Sequence, residues 1–206
     1  MVEFYKDRGP SPKGPCRKIM RREGSFIREM VAKTGKTGSE QIAQIVIVDG
    51  NSGHTQMRSG SEAAITSDVA ASSMMDGLEI ASELSETAGK VNINDMERHQ
   101  VHTHPNGFAG LSTMDIKSYA EDLRDNHNYP DSSLTATMTE DGIVLGGLYL
   151  NGEITEEDEA ELNRSLSLVS SGKLALMDPT TDDEEVLMDA LEAVGVEFCV
   201  VSFPQR

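Results

Sequence analysis

Apolar residues recur along the first part of this 206-residue chain with the periods of one helix and several strands. Residues 25–35 repeat them at helical spacing and predict a short helix. Residues 42–48 form an almost continuous β-rich apolar run, which predicts a strand buried on both faces. Asp49-Gly50 then predicts a hairpin turn, with residues 55–58 as the returning strand and residues 63–65 as another short strand.

The middle of the chain alternates helix and strand patterns. We expect a helix that begins at Ser67 or Asp68 and ends near Gly89, and a strand over residues 98–104 that Pro105 terminates. A helix is predicted from Ser112, and two strands over 134–138 and 143–150 form a hairpin. This order predicts an α/β fold with a mixed β-sheet.

The last part of the chain changes in composition, because residues 153–197 contain fourteen acidic and two basic side chains. Residues 155–158 and 181–184 have the pattern of capping boxes that open two helices, the second closed by Gly195. Residues 196–203 are a final strand candidate. The sequence therefore predicts an acidic helix-helix-strand extension.

The net charge limits the class of partner. There are 35 acidic and 18 basic residues, a formal charge of −17, so nucleic acid is not expected as the main partner. The amino-terminal part is different, since residues 1–36 hold ten basic and four acidic residues, and residues 1–18 are predicted to be a basic flexible arm. The acid excess and the scarcity of lysine and aromatic residues resemble proteins of salt-loving cells, a hypothesis about habitat.

Location is predicted from two weak features. The two cysteines, Cys16 and Cys199, are far apart in unrelated contexts, which predicts neither a disulfide framework nor a thiolate metal cluster and favours a reducing compartment. The amino terminus is polar and broken by glycine and proline, and it lacks the apolar stretch of a signal peptide or spanning helix. We therefore expect a cytoplasmic protein with no membrane partner.

One window carries the candidate chemistry. His102 and His104 are two apart on a predicted strand and so share a face, and Asp115 lies in the first turn of the following helix. Two histidines and one carboxylate, with water in the fourth position, are the ligand pattern of a catalytic zinc, and we expect one Zn²⁺ per chain. The alternative is that both histidines are ordinary strand residues and that Ser112 and Asp115 form only a helix cap.

The same window resembles a known family. His102-Thr103-His104-Pro105 followed by Ser112-Thr113-Met114-Asp115 is similar to the signature of the JAMM (MPN+, Mov34) zinc metalloproteases. The resemblance implies a cytidine-deaminase-like MPN fold, a mixed β-sheet sandwiched by helices, here over residues 19–151. Residues 152–206 would then be an extension without a clear counterpart. It also implies cleavage of isopeptide or peptide bonds, most simply after the carboxy-terminal Gly-Gly of a ubiquitin-like modifier, by a prokaryotic member of haloarchaeal or viral type.

The resemblance further implies an upstream glutamate that activates water. Glu40 has the expected position, immediately before the first long strand, and Glu62 is the alternative. In the family's pattern Ser112 stabilises the oxygen of the tetrahedral intermediate, while Thr103 points to the opposite face as a packing residue. His54, His99 and His127 are predicted to be exposed rather than ligands.

Two other functions stay open. A protein resembling the RadC group of mobile elements and phages shares a His-x-His-Pro-x-Gly stretch, which His102 to Gly107 also contains. A non-catalytic MPN scaffold is the third possibility, although intact His102, His104, Ser112 and Asp115 argue against it. The sequence does not predict an oligomeric state.

Overall fold

The protein's computed structural model describes most of the chain. The described residues are 14–48, 50–60, 73, 75–77, 79–84, 96–105, 110–125, 130–171 and 181–204.

Four helices and seven strands have defined bounds. The helices are α1 (Cys16–Thr37), α2 (Thr113–Asp125), α3 (Glu156–Ser171) and α4 (Thr181–Ala193). The strands are β1 (Gln41–Val48), β2 (Asn51–His54), β3 (Arg58–Ser59), β4 (Met96–Thr103), β5 (Ser132–Thr139), β6 (Gly142–Leu150) and β7 (Val196–Phe203). Residues 75–77 and 79–84 are also helical.

The strands form one open mixed sheet in the order β2-β1-β4-β5-β6-β7, with β3 also pairing with β1. The pairing of β4 with β5 is parallel, and the other pairings are antiparallel. A parallel pair needs a crossover connection, and α2 provides it between β4 and β5. The predicted α/β class with a mixed sheet is confirmed.

Helices cover both faces of this sheet. The apolar face of α1 packs on one side against alternate strand residues that include Ala43, Ile45 and Val101. On the other side α2, α3 and α4 form a second apolar cluster together with β6 and β7. Residues 79–84 cover β1 on that same side, where Ala81 packs with Val46 and Val48. This arrangement confirms the sandwich of helices around the sheet.

Helix α1 is longer than the sequence predicts. It begins at Cys16 rather than Ser25, because Cys16, Ile19 and Met20 extend the buried face toward the amino terminus between the basic residues. Residues 16–18 are therefore helical, although they lie in the predicted arm, of which residues 1–13 fall outside the described residues. Non-helical angles at Glu23 kink the helix.

The strand that returns after β1 is also placed differently. It is β2, over Asn51–His54, rather than residues 55–58, and Val48 pairs directly with Asn51. Gly50, with a φ of 78°, supplies the left-handed conformation that this two-residue turn requires. The predicted strand at 63–65, and both ends of the helix predicted over 67–89, lie outside the described residues.

The prediction that the two cysteines are unrelated is wrong. Cys16 at the start of α1 and Cys199 in β7 form a disulfide, with Cα atoms 5.9 Å apart. Packing of α1 against β7 brings the two cysteines together although they are 183 positions apart in the sequence. No local sequence pattern predicts this contact. The cysteines thus give no support to a reducing compartment, and the cytoplasmic location stays a prediction.

The acidic carboxy-terminal segment shares the sheet and the core. Strand β7 pairs with β6 along its whole length, and Gly195, with a φ of 87°, lies between α4 and β7. The first capping box is confirmed, since the Thr155 backbone N–H donates to Asp158 at 2.8 Å and the Asp158 N–H donates to the Thr155 hydroxyl. The side chain of Thr181, in the second box, lies outside the described residues. In the described part of the chain, no helix combines the length and apolarity needed to cross a membrane.

Candidate metal centre

The position of His102 in strand β4 orients its side chain toward α2, the helix that contains Asp115. Val101 on β4 faces α1, so His102, the next residue, faces the α2 side. His104 follows immediately after the strand. The His102 Nε2 atom lies 3.2 Å from His104 Nε2 and 3.2 Å from Asp115 Oδ1, and His104 Nε2 lies 3.5 Å from Asp115 Oδ2.

These three separations fit a metal ion. Zinc binds imidazole nitrogen and carboxylate oxygen at about 2.0–2.1 Å, and tetrahedral geometry then puts two ligand atoms about 3.3–3.4 Å apart. The two distances from His102 Nε2, both 3.2 Å, are close to this tetrahedral edge. The 3.5 Å distance from His104 Nε2 is to the other Asp115 oxygen, and with one ligand atom per residue the three atoms lie within 4.8 Å of one another. His102, His104 and Asp115 are therefore a group that could hold a metal ion.

Ser112 fixes the carboxylate of Asp115. Both its backbone N–H and its hydroxyl donate to Asp115 Oδ2 at 2.7 Å, and the Asp115 N–H donates back to the hydroxyl at 3.2 Å. Ser112 precedes α2, so this reciprocal pattern is the capping box of that helix. Ser112 and Asp115 therefore form the predicted helix cap and also belong to the predicted metal site. The cap does not exclude a metal site at the same residues.

The charges within the centre favour an ionised carboxylate. Burial opposes ionisation, but His102, together with His104 and the Ser112 hydroxyl, holds the pKa of Asp115 well below its usual range. For His102 burial lowers the pKa, but Asp115 and then Glu40 raise it more, so the net shift is upward. A metal ion would take the place of the proton that this arrangement otherwise favours on His102.

Glu40 lies beside the group without belonging to it. Its Oε1 atom is 3.9 Å from His104 Nε2, and the residue is 8% exposed. The backbone is held at this point because the Gly60 N–H and the Gln41 side-chain amide both donate to the Glu40 carbonyl. The five residues predicted from sequence are thus brought together, while the alternative, Glu62, lies outside the described residues.

Thr103 links the elements that carry Glu40 and the two histidines. It is fully buried, faces α1 as predicted, and its hydroxyl accepts the Gln41 backbone N–H at 2.9 Å. The same hydroxyl is hydrogen-bonded to that of Thr34 in α1. This junction joins α1, the start of β1 and the end of β4 directly behind the centre.

One contact near the centre was not predicted. The Thr113 hydroxyl donates to Glu184 in α4 at 2.9 Å, next to Ser112 at the start of α2. The two residues are 71 positions apart, and the capping-box pattern at 181–184 assigned Glu184 a local role instead. Nothing in the linear sequence signals this contact.

The remaining histidines are outside the centre. His99 was predicted to be exposed, and this is wrong. Its side chain is buried in the sheet, where its Nδ1 atom lies 2.9 Å from the Ser132 hydroxyl. His54 is partly exposed, stacks on Phe26 and contacts Glu23 at 2.9 Å. His127 lies outside the described residues.

A scan against models of known protein families gives no match, and neither does a search of curated proteins.

Proposed function

We propose that this protein is a zinc-dependent hydrolase of the JAMM kind that cleaves peptide or isopeptide bonds after the Gly-Gly end of a ubiquitin-like protein. The observation that carries the proposal is the grouping of His102, His104 and Asp115, in which His102 Nε2 lies 3.2 Å from both His104 Nε2 and Asp115 Oδ1. Glu40 beside them and Ser112 bonded to Asp115 complete the pattern of the resemblance. The cytidine-deaminase-like MPN fold is part of the same proposal, and the mixed sheet between helices supports it.

The residues divide the work between binding and proton transfer. His102, His104 and Asp115 would hold one Zn²⁺, which supplies a Lewis acid and lowers the pKa of water. Glu40 is buried and 3.9 Å from His104, close enough to accept a proton from attacking water and to return it to the leaving amine. Its low exposure keeps this carboxylate out of bulk solvent and within the centre.

Ser112 has two roles in this proposal. Its hydroxyl donates to Asp115 at 2.7 Å and so orients the carboxylate as a ligand. To stabilise the oxygen of a tetrahedral intermediate, the same hydroxyl rotates away from Asp115, whose oxygen is still held by the Ser112 backbone N–H at 2.7 Å. The backbone bond therefore preserves the ligand while the hydroxyl acts on substrate.

The experiment is a cleavage assay on a linear fusion in which a ubiquitin-like protein ending in Gly-Gly precedes a reporter. We expect cleavage after Gly-Gly, its loss with chelator, and its return when Zn²⁺ is added back. The Asp115→Asn variant controls for metal, because it keeps the size of the side chain and removes the charge. Cleavage that persists in this variant and in chelator would contradict the proposal. A zinc-loaded protein that binds but never cleaves such fusions would fit the scaffold or RadC-like alternatives.

A further inference from the structure

The two helical layers carry opposite charge. Helix α1, alone on its face of the sheet among the described residues, contains seven basic and two acidic residues, a formal charge of +5. Helices α2, α3 and α4 on the other face contain fifteen acidic and three basic residues, a formal charge of −12. The sheet between the layers keeps these charges apart, so the described part of the chain has a basic face despite the net charge of −17 of the whole sequence.

Most of the basic residues of α1 are exposed. Arg17, Arg21, Arg28 and Lys36 are exposed and lie within an arc of about 100° on the helix. Of the two acidic residues in α1, Glu23 is buried against His54 and only Glu29 shares this surface. We call the exposed side of α1 from Arg17 to Lys36 the basic face.

At the amino-terminal end of α1 the basic face contains a concavity of about 500 Å³, lined by Gly14, Arg17, Lys18, Arg21 and Arg22. Lys18 pairs with Glu97, and no carboxylate in the described part of the chain forms an ion pair with Arg17 or Arg21. The first turn contains no acidic residue and no side-chain cap, so the positive end of the helix dipole adds to these charges.

The other end of α1 lies behind the candidate metal centre, on the opposite face of the sheet. Thr34 in its last turns contacts Thr103, which precedes His104, and Glu40 follows the helix by three residues. A helix of 22 residues is about 33 Å long, close to the diameter of a small domain. A chain end that leaves a domain on the basic face would therefore pass around the end of α1 and past Glu40, which is 3.9 Å from His104, to reach the centre on the other face of the sheet.

We propose that the basic face of α1 is the docking surface for an acidic protein substrate, an inference that rests on the proposed function. Charge complementarity favours a compact acidic domain over nucleic acid, because a long polyanion would continue past α1 and meet the acidic remainder of the molecule. The proposal thus defines the substrate class by its surface charge, in addition to its Gly-Gly end.

The first test measures binding of labelled poly-L-glutamate, and of a DNA duplex of equal charge, to the full chain at low salt. Arg17→Glu/Arg21→Glu should weaken poly-L-glutamate binding at least about tenfold. Arg124→Glu/Arg164→Glu, which changes the net charge equally on the opposite layer, should bind like wild type. Arg17 lies in the first turn, where an acidic residue favours a helix, and Arg21 is exposed, so the Arg17/Arg21 variant should remain folded. Equal effects of both variants, no binding of poly-L-glutamate, or tighter binding of DNA would overturn the proposal.

The second test compares an acidic ubiquitin-like fusion ending in Gly-Gly with a short Gly-Gly peptide amide. The Arg17→Glu/Arg21→Glu variant should raise KM for the fusion about tenfold and leave turnover of the peptide unchanged. An equal loss on both substrates would contradict a docking role. If wild type cleaves neither substrate, the proposed hydrolase is wrong, and the binding test still decides the role of the basic face.

Discussion

The two carboxylates of the centre differ in what they contact. Asp115 accepts two hydrogen bonds from Ser112 at 2.7 Å and lies 3.2 Å from His102, which fits a metal ligand that must be ionised and oriented. Glu40 lies outside that group, with Oε1 3.9 Å from His104 Nε2, a position suitable for proton transfer through water. This difference leads to a substitution that separates metal binding from turnover.

We predict that Glu40→Gln keeps the metal and loses turnover. Glutamine has nearly the same size and a carbonyl acceptor but no basicity, so the rate should fall by roughly 10²–10⁴ while bound zinc is unchanged. Turnover of the Gly-Gly fusion and zinc content are the measurements. Glu157→Gln, on the exposed side of α3, is the control for the change in charge. Normal turnover in Glu40→Gln, with loss of turnover in Glu62→Gln, would move the role to Glu62.

At the junction of α1, β1 and β4, Thr103 is fully buried. Water therefore cannot take the place of its hydroxyl in the hydrogen bonds to Gln41 and Thr34 if that hydroxyl is removed. Thr103→Val keeps the shape but leaves the Gln41 N–H without its acceptor and the Thr34 hydroxyl without its hydrogen-bond partner. We predict a loss of about 1–3 kcal/mol in the free energy of unfolding, measured by urea denaturation. Thr103→Ser restores the hydroxyl and should recover most of that loss. If valine and serine have the same effect, the methyl group and not the hydroxyl stabilises the junction.

Helix α2 carries a carboxylate whose environment predicts a pH dependence. Burial, and then the neighbouring Glu121 and Asp125 carboxylates, raise the pKa of Asp122 to about 6. The folded protein therefore binds this proton more tightly than the unfolded chain does, and stability should fall as the pH rises from about 4 to about 6. Above that range Asp122 is ionised in both states, and its cost to the free energy of unfolding is constant.

Asp122→Asn removes the destabilisation that ionised Asp122 causes in the folded protein. The variant should match wild type near pH 4 and exceed its free energy of unfolding by about 1–2 kcal/mol at pH 7.5. Urea denaturation across this pH range measures the difference, and Glu156→Gln in α3 controls for the change in net charge. A constant difference between Asp122→Asn and wild type at every pH would show that ionisation of Asp122 is not the cause.

The disulfide connects the two ends of the described chain. It closes a loop of 183 positions, and a cross-link of this length restricts the unfolded state strongly. We predict that reductant lowers the stability of wild type by about 2–5 kcal/mol and has no effect on Cys16→Ser/Cys199→Ser. Thermal unfolding with and without reductant is the measurement. Two reactive thiols in denatured, unreduced protein would show that the bond does not form.

Local sequence patterns predicted those parts of the fold that depend on residues close together in the sequence. The buried run of β1, the hairpin of β5 and β6, and the cap at Ser112 and Asp115 all follow from residues a few positions apart. The grouping of His102, His104 and Asp115 was predictable for the same reason, since strand alternation and one helix cap bring these side chains together.

Contacts made only by tertiary packing were not predictable. The extra turns of α1 depend on burial against β7, and the pairing of Cys16 with Cys199 depends on the same packing. The burial of His99 depends on Ser132 in the neighbouring strand. The bond between Thr113 and Glu184 joins two helices of the outer layer. In each case the partner lies far away in sequence and follows no motif.

The central claim is that His102, His104 and Asp115 bind one zinc ion, and elemental analysis of purified protein tests it most directly. We predict about one zinc per chain in wild type and near zero in His102→Ala, His104→Ala and Asp115→Ala, because a three-ligand site cannot compensate for a lost ligand. All three variants should still unfold cooperatively, since the core lies in the sheet and helices. Full zinc content in the Asp115→Ala variant, or wild type without zinc after growth and purification in its presence, would contradict the claim.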